Sequence, residues 1–435
     1  MSRWTEQWQP YRSRDSFSFV DQDSRLRRSP LAILFMAVLI DMMGFGIVIP
    51  VLPFYALDMG ATPVQVTLLI ASFSAMQMAA TPVWGRVSDR RGRRPLLIAG
   101  LFASAVSYLI FGLANSLLLL LVSRVAAGAA GGTISVAHAY VADTTRAEER
   151  ARGMGLIGAA AGLGVMLGPA VGGFFSQFSL GAPGYVAASL CALNGLAAIF
   201  LLPESRPAER RAARPSGQAA TVRGWLSALG SYPLSLLLTV YFLGITSFAA
   251  MTSLLALYFE RVYEIGAVEM GYMFFIAGGV TVVVRGVVLG RLVARFGEIA
   301  TLRFGAVALG ASFVVLPLVP SFTWALAAVP LYAIGAGTLF PALATLTSLA
   351  TDADSQGSIM GGSQFVGGLG RVLGPVWAGF LFQAVAIRSP FHVAAALTVV
   401  ALVLTAWIPA RLQSRGRASE GLISTAPAAN VPPAK

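Results

Sequence analysis

Residues 85–94 read GRVSDRRGRR, a short basic stretch between two long apolar segments. A related stretch, GRLVARFG, occupies residues 290–297, again after an apolar segment and 205 positions further along the chain. Other residues recur at offsets of 205 or 206, namely Thr133 with Thr338, and Gly168 and Pro169 with Gly374 and Pro375. Because several anchors share one offset, the sequence predicts a chain built from two repeated halves.

The composition places both halves in a membrane. Of the 435 residues, 56% are hydrophobic and 11% are charged, whereas a soluble domain carries about 25% charged residues. Apolar stretches, each long enough to cross about 30 Å of hydrocarbon as a helix, recur twelve times and are numbered here as segments 1 to 12. They lie near 30–55, 64–84, 95–115, 117–140, 153–176, 183–203, 232–259, 268–289, 301–319, 321–349, 356–382 and 389–409. The predicted fold is an all-α membrane protein with twelve transmembrane helices in two six-helix bundles related by the internal repeat.

The domain organisation follows from the longest polar connection. Residues 204–231, rich in Pro, Ala and Arg, have the composition of an unpacked linker and separate the predicted bundles. The expected domains are an N-terminal tail at 1–29, bundles at 30–203 and 232–409, the central loop, and a C-terminal tail at 410–435.

The distribution of basic residues predicts the orientation. Of the 31 Lys and Arg residues, 26 fall in the tails and in alternate connections, and two, Arg261 and Arg388, fall in the other connections. Because positively charged loops stay in the cytoplasm, we expect both termini, the central loop and the 85–94 stretch to be cytoplasmic. This bias explains the net charge of +12 without a nucleic-acid partner.

The rarity of Lys, His and Cys excludes several chemistries. Lys435 is the single lysine, so neither a phosphate-binding loop lysine nor a Schiff base is available in the bundles. His138, His392 and Cys191 are too few for a zinc site. We therefore expect no enzyme activity, no metal and no cofactor, and energy taken from an ion gradient.

Four motifs resemble those of the major facilitator superfamily. The 85–94 stretch is similar to the family's signature after its second helix, and Arg124 with Gly128 to its R-x-x-x-G pattern in the fourth. Segment 1, with Asp41, resembles the twelve-helix drug:proton antiporter branch. The stretch at 164–173 resembles the antiporter motif of the fifth helix, through Gly164, Gly168, Pro169, Gly172 and Gly173. The resemblance implies a proton-driven exporter related to tetracycline and multidrug pumps.

Asp41 and Arg124 are the candidate proton-coupling residues. Asp41 is the one acid deep in an apolar segment, where an ionised carboxylate costs at least about 2.5 kcal/mol unless it is paired. Counting along the segments places Arg124 in the same layer, so we expect the two side chains to interact. The alternatives are that Asp41 has a purely structural role and that the side chain of Arg124 extends to the membrane interface.

The resemblance implies a conformational gate at the 85–94 stretch. Its residues would be Gly85, Asp89, Arg90, Gly92 and Arg93, with Asp143 at the inner end of segment 4. In the family the aspartate docks against the start of segment 11, here 355–357. A cluster of arginines that only sets topology is the alternative. In the second copy Ala294 replaces the aspartate, so we expect a weaker lock there. The motif at 164–173 predicts either tight helix packing or a role against proton leak.

Aromatic and polar residues on segments 1, 2, 7, 8, 10 and 11 are candidates for the substrate cavity. They are Phe45, Gln77, Tyr241, Phe248, Phe274, Tyr332, Gln364 and Arg371. With Asp41 ionised, the intramembrane charges, including Arg124 and Arg285, sum to +2, which favours neutral, zwitterionic or anionic amphiphiles. The resemblance makes tetracycline itself doubtful, because the tetracycline branch carries a histidine in segment 8 and an acid in segment 9, and this chain has neither.

The sequence therefore predicts a proton-coupled exporter of an amphipathic small molecule. Its expected partners are protons, the substrate and the lipid bilayer, and it is expected to act as a monomer in a bacterial-type inner membrane. A proton-coupled importer or facilitator of a small metabolite is the main alternative. A non-transporting receptor is a further alternative, but it leaves the energetic cost of burying Asp41 in the membrane unexplained.

Overall fold

A computed structural model describes residues 30–205, 230–351 and 356–410, together with Leu412. Within these residues every regular element is helical. Twelve helices, some of them interrupted, are long and apolar enough to cross a membrane. The predicted tail at 1–29, nearly all of the tail at 410–435 and most of the central loop lie outside the described residues.

The first half contains six membrane segments. Its helices are Pro30–Val48 and Leu52–Asp58 in segment 1, Pro63–Arg91 in segment 2, Arg93–Gly112 in segment 3, Leu117–Ala130 and Thr133–Thr144 in segment 4, Ala147–Ser176 in segment 5 and Ala182–Leu201 in segment 6.

The second half repeats this order. Its helices are Leu234–Tyr263 in segment 7, Ala267–Val283 and Leu289–Phe296 joined by a π-helical turn Val284–Val288 in segment 8, Glu298–Val315 in segment 9, Phe322–Leu349 in segment 10, Gln356–Ala384 in segment 11 and Ser389–Leu404 in segment 12. Short 3-10 turns, Leu316–Leu318 and Thr405–Trp407, end segments 9 and 12.

The 85–94 stretch is helical almost throughout, which differs from the loop that we expected. The helix of segment 2 continues to Arg91, and Gly92 alone turns the chain into segment 3 with φ of 103°. Gly297 makes the same one-residue turn in the second half with φ of 83°. A positive φ suits glycine because it has no Cβ, so both copies of the motif have glycine at this turn for the same steric reason.

The internal repeat is also visible in the packing. A Cβ at Gly100 would lie 2.5 Å from Cγ2 of Thr133, and a Cβ at Gly305 would lie 2.6 Å from Oγ1 of Thr338. These two pairs are 205 residues apart. In both halves a glycine of the third helix therefore lets the threonine of the fourth helix approach its backbone.

Each half forms a six-helix bundle, and the bundles meet along two pairs of helices. Segment 5 packs against segment 8, and segment 2 packs against segment 11. Gly173 and Gly271 approach so closely that a Cβ on Gly173 would lie 3.0 Å from Cα of Gly271. Glycine at such positions permits close helix packing.

The two bundles are packed at one end and separated at the other. At the end away from the 85–94 stretch, Val64 donates its backbone N–H to Oε1 of Gln383 at 3.1 Å. At the end that carries the 85–94 stretch, which we call the motif end, Cβ atoms at Gly85 and Gly290 would meet nothing within 4 Å, and the helix Leu289–Phe296 of segment 8 has no buried residue. The cleft between the bundles therefore opens toward the motif end.

Candidate functional site

Asp41 lies inside the first bundle with 4% of its surface exposed. Thr133 donates its hydroxyl to Oδ2 of Asp41 at 2.5 Å, and the side chain of Ser104 lies near the same carboxyl group. Thr133 is the first residue of the second helix of segment 4. The carboxyl group therefore faces the neighbouring segments 3 and 4, where the hydroxyl of Thr133 holds it and that of Ser104 lies nearby.

A break in segment 4 positions Thr133. The first helix ends at Ala130, and Gly131 and Gly132 form a turn before Thr133. The Trp84 ring occupies the space beside Gly132, where a Cβ would lie 2.2 Å from Cγ of Trp84. The indole N–H of Trp84 also donates to the carbonyl of Ala129 at 2.6 Å. An unwound turn in a membrane helix is tolerated where it is buried in protein, and here it brings a hydroxyl to Asp41.

Arg124 does not form the ion pair with Asp41 that we expected. It is 4% exposed, its guanidinium lies 5.0 Å from the centre of the Phe111 ring, and Nε donates to Oγ of Ser123 at 3.3 Å. Its Nη2 atom is buried without a hydrogen-bond partner. The physical reason is that Thr133 and Ser104 take the positions next to the carboxyl group.

Segment 3 nevertheless connects the two charged residues. Ser104 lies near Asp41, Tyr108 lies near both Asp41 and Arg124, and Phe111 lies against Arg124. From Ser104 to Phe111 the helix rises about 10 Å. A role for Arg124 in proton coupling therefore stays a prediction, and in this structure it would act through Tyr108.

The charge network expected at the gate is present around Arg93. Its Nη2 lies 2.6 Å from Oδ1 of Asp89, and its Nε lies 3.0 Å from Oδ2 of Asp143. Its backbone N–H donates to Oε1 of Glu204 at 3.0 Å. The network ties segments 2, 3 and 4 to the residue that follows segment 6. Residues 352–355 and the side chains of 356–358 lie outside the description, so the contact with the start of segment 11 stays a prediction.

The remaining gate residues occupy distinct positions. Arg90 is exposed, and within the described parts of the chain it has no ion pair. Gly85 borders the open cleft, and Gly92 makes the turn into segment 3.

The antiporter motif packs segment 5 against both bundles. Added Cβ atoms at Gly164, Gly168 and Gly172 would lie 2.4, 2.6 and 2.0 Å from backbone atoms of segment 1. Gly173 and Pro169 instead contact Gly271 of segment 8. Tight packing is therefore what the motif does in this structure, and a role against proton leak stays a prediction.

The cavity candidates of the first bundle lie beside the break in segment 4. Phe45 and Phe73 have ring centres 5.1 Å apart. Gln77 donates its side-chain amide to the carbonyl of Gly131 at 3.3 Å. Gln77 thus satisfies a backbone group that the break exposes, a structural task that the sequence did not reveal.

The candidates of the second bundle form an aromatic cluster that also includes Phe340. Phe340 lies edge-on to Tyr241 at 6.0 Å and to Phe248 at 5.4 Å, and Phe248 stacks on Tyr332 at 5.1 Å. Tyr332 is only 5% exposed and shares a hydrogen bond with Thr252. Tyr332 is therefore packed in the core in this structure, and its place in the cavity wall stays a prediction.

The other cavity candidates lie on segments 8 and 11. Phe274 packs partly buried against the core. Gln364 is exposed, and Arg371 is half-buried with its side chain beside the hydroxyl of Tyr241. A separate cavity of about 830 Å³ opens at the motif end between segments 1 and 5, lined in part by Leu31, Phe35 and Arg152. None of the cavity candidates lines it.

Sequence reasoning missed Thr133, Ser104 and Tyr108 as neighbours of Asp41, and Phe340 in the aromatic cluster. Thr133 was marked only as an anchor of the repeat. A threonine directly after two glycines inside an apolar segment is the signal that could have indicated it. The others lack a local signal, because serine and aromatic residues are common in membrane helices.

Two repeated six-helix bundles around a central cleft, with a buried carboxyl group in one bundle and an aromatic cluster in the other, are the architecture of secondary transporters. The sequence model of the Major Facilitator Superfamily matches residues 34–375, and the chain belongs to this family. The family's members resembling this chain are transporters rather than enzymes.

The relatives include efflux proteins. The class C tetracycline resistance protein of Escherichia coli is 32% identical over 357 residues, covering 81% of this chain and 90% of that protein. Multidrug resistance protein 2 of Bacillus subtilis (strain 168) is 27% identical and covers 86% of this chain and 93% of that protein. The crystal structure of the human organic anion transporter MFSD10 (TETRAN) matches with a TM-score of 0.66 at 24% identity, covering 87% of this chain and 99% of that one. At this identity the last match concerns the fold alone.

Proposed function

We propose that this protein is a proton-coupled exporter of amphipathic small molecules that works by alternating access, as a monomer in a bacterial-type inner membrane. The observation that carries the proposal is Asp41. It is a buried carboxyl group that accepts a hydrogen bond from Thr133 and lies near the hydroxyl of Ser104, and no described arginine or histidine pairs with it. Hydroxyl groups can accept from a protonated carboxyl group and donate to an ionised one, so this setting accommodates both states.

In this proposal the proton site and the substrate site are separate. Asp41 faces segments 3 and 4 inside the first bundle, whereas the aromatic cluster and Arg371 lie in the second bundle. Protonation would therefore act on the substrate indirectly, through Thr133 and the break in segment 4 that Trp84 and Gln77 support. This arrangement suits exchange of a proton for a substrate, because the proton and the substrate can bind at two different places.

The open cleft supports alternating access. With the motif end in the cytoplasm, as the basic residues predict, this state would be inward-facing. In the opposite state the two bundles would close at the motif end. A proton-coupled importer has the same architecture, and export is favoured by the glycine-proline motif of segment 5 and by the efflux proteins among the relatives.

The test is a transport assay with the full-length protein in proteoliposomes. An imposed pH gradient and an internal pH dye would be combined with a panel of tetracyclines, other amphipathic drugs and small metabolites. Export predicts that substrate moves against its gradient as protons move the other way, with the direction reversed when the gradient is reversed. Substrate movement in the same direction as the protons would establish the importer instead.

A further inference from the structure

Arg371 lies at the centre of a membrane helix. It is 15 residues from Gln356 and 13 from Ala384, the ends of the helix of segment 11, so about 20 Å of helix separates it from either end. Its side chain is too short to cover that distance. A charged residue at this depth is costly and marks a functional site or a pairing partner by default.

The packing of segment 11 shows where Arg371 points. Gly374 packs against the backbone of Thr246 in segment 7, and Gly368 packs against Met78 in segment 2. At 3.6 residues per turn, Arg371 lies about 60° from each of these two glycines, midway between the two faces. Because segments 7 and 2 belong to different bundles, Arg371 points into the cleft between them.

No acid in the second half can neutralise Arg371. The acids of residues 232–409 all lie at the ends of segments or between them, and they are Glu260, Glu264, Glu269, Glu298, Asp352 and Asp354. Among the described residues Arg371 forms no ion pair. Its nearest polar group on segment 7 is the hydroxyl of Tyr241, which packs against Gly367 one helical turn before Arg371, where an added Cβ would lie 2.6 Å from the hydroxyl oxygen. A guanidinium can only donate hydrogen bonds, whereas the hydroxyl of Tyr241 can both accept and donate, so both groups can donate to a ligand at this position.

An apolar surface adjoins this pair. Phe340 contacts the ring of Tyr241, and Phe248 contacts Phe340. All three rings are partly buried. Arg371 and the O–H of Tyr241 therefore provide donors at one edge of an aromatic wall, an arrangement that binds a negatively charged group attached to an apolar body.

We propose that Arg371 and Tyr241 form the subsite for the anionic group of the substrate, and that the substrate is an amphipathic carboxylate or sulfonate whose apolar body lies on Phe248 and Phe340. This inference rests on the proposed function, because it takes the bound molecule to be the transported substrate. It limits that substrate to anionic molecules. Arg124 does not compete for this role, because it is enclosed by Phe111 inside the first bundle.

The test is equilibrium binding to the full-length protein in phosphatidylcholine nanodiscs without any pH gradient. The probes are 2-naphthoate, the neutral 2-naphthamide and the cationic 2-naphthylmethylammonium, which share one ring system. We expect the wild type to prefer naphthoate, Arg371→Ala to weaken naphthoate binding at least tenfold, and the two other ligands to change less than twofold. Arg371→Lys should retain most of the naphthoate binding, and Tyr241→Phe should lose about threefold.

The control is Arg285→Ala, which removes another arginine from a membrane segment of the same bundle and should leave naphthoate binding unchanged. Equal losses for all three probes, or a wild type that prefers the cation, would overturn the anion subsite. If Arg371→Ala does not fold, the comparison of wild type, Arg371→Lys and Tyr241→Phe across the three probes still decides the question.

Two further measurements distinguish this subsite from a lipid-binding site and from the proposed transport function. Phosphatidylglycerol added to the nanodiscs should not displace naphthoate, whereas displacement would overturn the soluble substrate and assign the subsite to a lipid headgroup. Binding is measured without a pH gradient, so selective binding of anions can be observed even if proton-driven flux is absent. That result would contradict the proposed function but not the anion subsite. Proton-driven flux of neutral or cationic drugs that is insensitive to Arg371→Ala would defeat this inference alone.

Discussion

At the scale of the residue, the decisive feature is a carboxyl group that is buried but not paired with a base. Thr133 donates a hydrogen bond to Asp41, and the hydroxyl of Ser104 lies near it. Hydroxyl groups adapt to either protonation state by rotation, whereas a fixed arginine would favour one state. Asp41 is therefore suited to carry a proton, and its partners are suited to report the change to segment 4.

Replacement of Asp41 by Asn should abolish substrate export driven by a pH gradient and leave folding and part of the substrate binding intact. The amide keeps the shape and the hydrogen bonds of the side chain, but it cannot gain and lose a proton. Flux into inverted vesicles measures the effect, and size-exclusion chromatography verifies folding. Asp58→Asn, at the exposed end of segment 1, is the matched control and should transport normally. Unaltered pH-driven flux in Asp41→Asn would refute the assignment.

At the scale of the element, segment 5 is a packing element with two different halves. Toward one end its glycines lie against the backbone of segment 1 and against Gly271, and toward the motif end Gly155 and Gly158 face open space. The same residue type therefore permits close contact in one half and leaves a free surface in the other. This difference makes the contribution of each glycine to stability separable.

Gly172→Ala should destabilise the protein, because the added Cβ would lie 2.0 Å from the carbonyl oxygen of Ile47. Overpacking of this kind costs about 1–3 kcal/mol, which should lower the melting temperature in detergent. Gly158→Ala adds a Cβ that meets nothing within 4 Å, and its melting temperature should be unchanged or slightly higher, since alanine favours a helix by up to about 1 kcal/mol over glycine. Equal melting temperatures for the two variants would contradict the packing described for segment 5.

The network around Arg93 is the second element with a testable role. Asp89→Ala removes one of two carboxylates that hold Arg93, and with it the group expected to dock on segment 11. We expect the population to shift toward the state open at the motif end, with unchanged substrate preference. Thiol labelling measures the shift, with cysteines at Val83 and Gln364 in a Cys191→Ala background. Labelling of both sites should increase relative to the Asp58→Ala control. If labelling stays constant while substrate preference changes, Asp89 is not a gate.

At the scale of the whole molecule, the distribution of charge sets how transport responds to voltage. The second bundle carries Arg371 without an acid in its membrane core, and the first carries Asp41 apart from Arg124. A proton-coupled exporter of anions would release the anion on one side of the membrane and take up a proton from the same side. Both movements carry charge in the same direction across the membrane.

Export of a monoanion in exchange for one proton should therefore be driven by an inside-negative potential. Two elementary charges move per cycle, so about 4.6 kcal/mol per 100 mV is available at about 2.3 kcal/mol per charge. Exchange of a monocation for one proton moves no net charge. Flux measured at potentials set with potassium and valinomycin distinguishes the two, and the 2-naphthoate and 2-naphthylmethylammonium pair serves as matched substrates. A flux of naphthoate that does not change with potential would exclude this charge balance.

The sequence by itself determined the twelve segments, the repeat and the family, because these depend on hydrophobic length and on glycines that local backbone geometry requires. Gly92 and Gly297 illustrate this, since a one-residue turn with positive φ selects glycine wherever it occurs. The sequence also singled out Asp41 and Arg371, because the cost of a charge in hydrocarbon depends on depth, which can be counted along a helix.

Only the tertiary structure decided which side chains meet. Counting residues placed Asp41 and Arg124 in one layer, but the turn at Gly131 and Gly132 brought Thr133 to the carboxyl group instead. Tyr332 is an aromatic residue of the type that lines cavities, but it is buried in the core. The physical reason is that depth depends on position along one helix, whereas contact depends on the rotation and breaks of several helices that are distant in sequence.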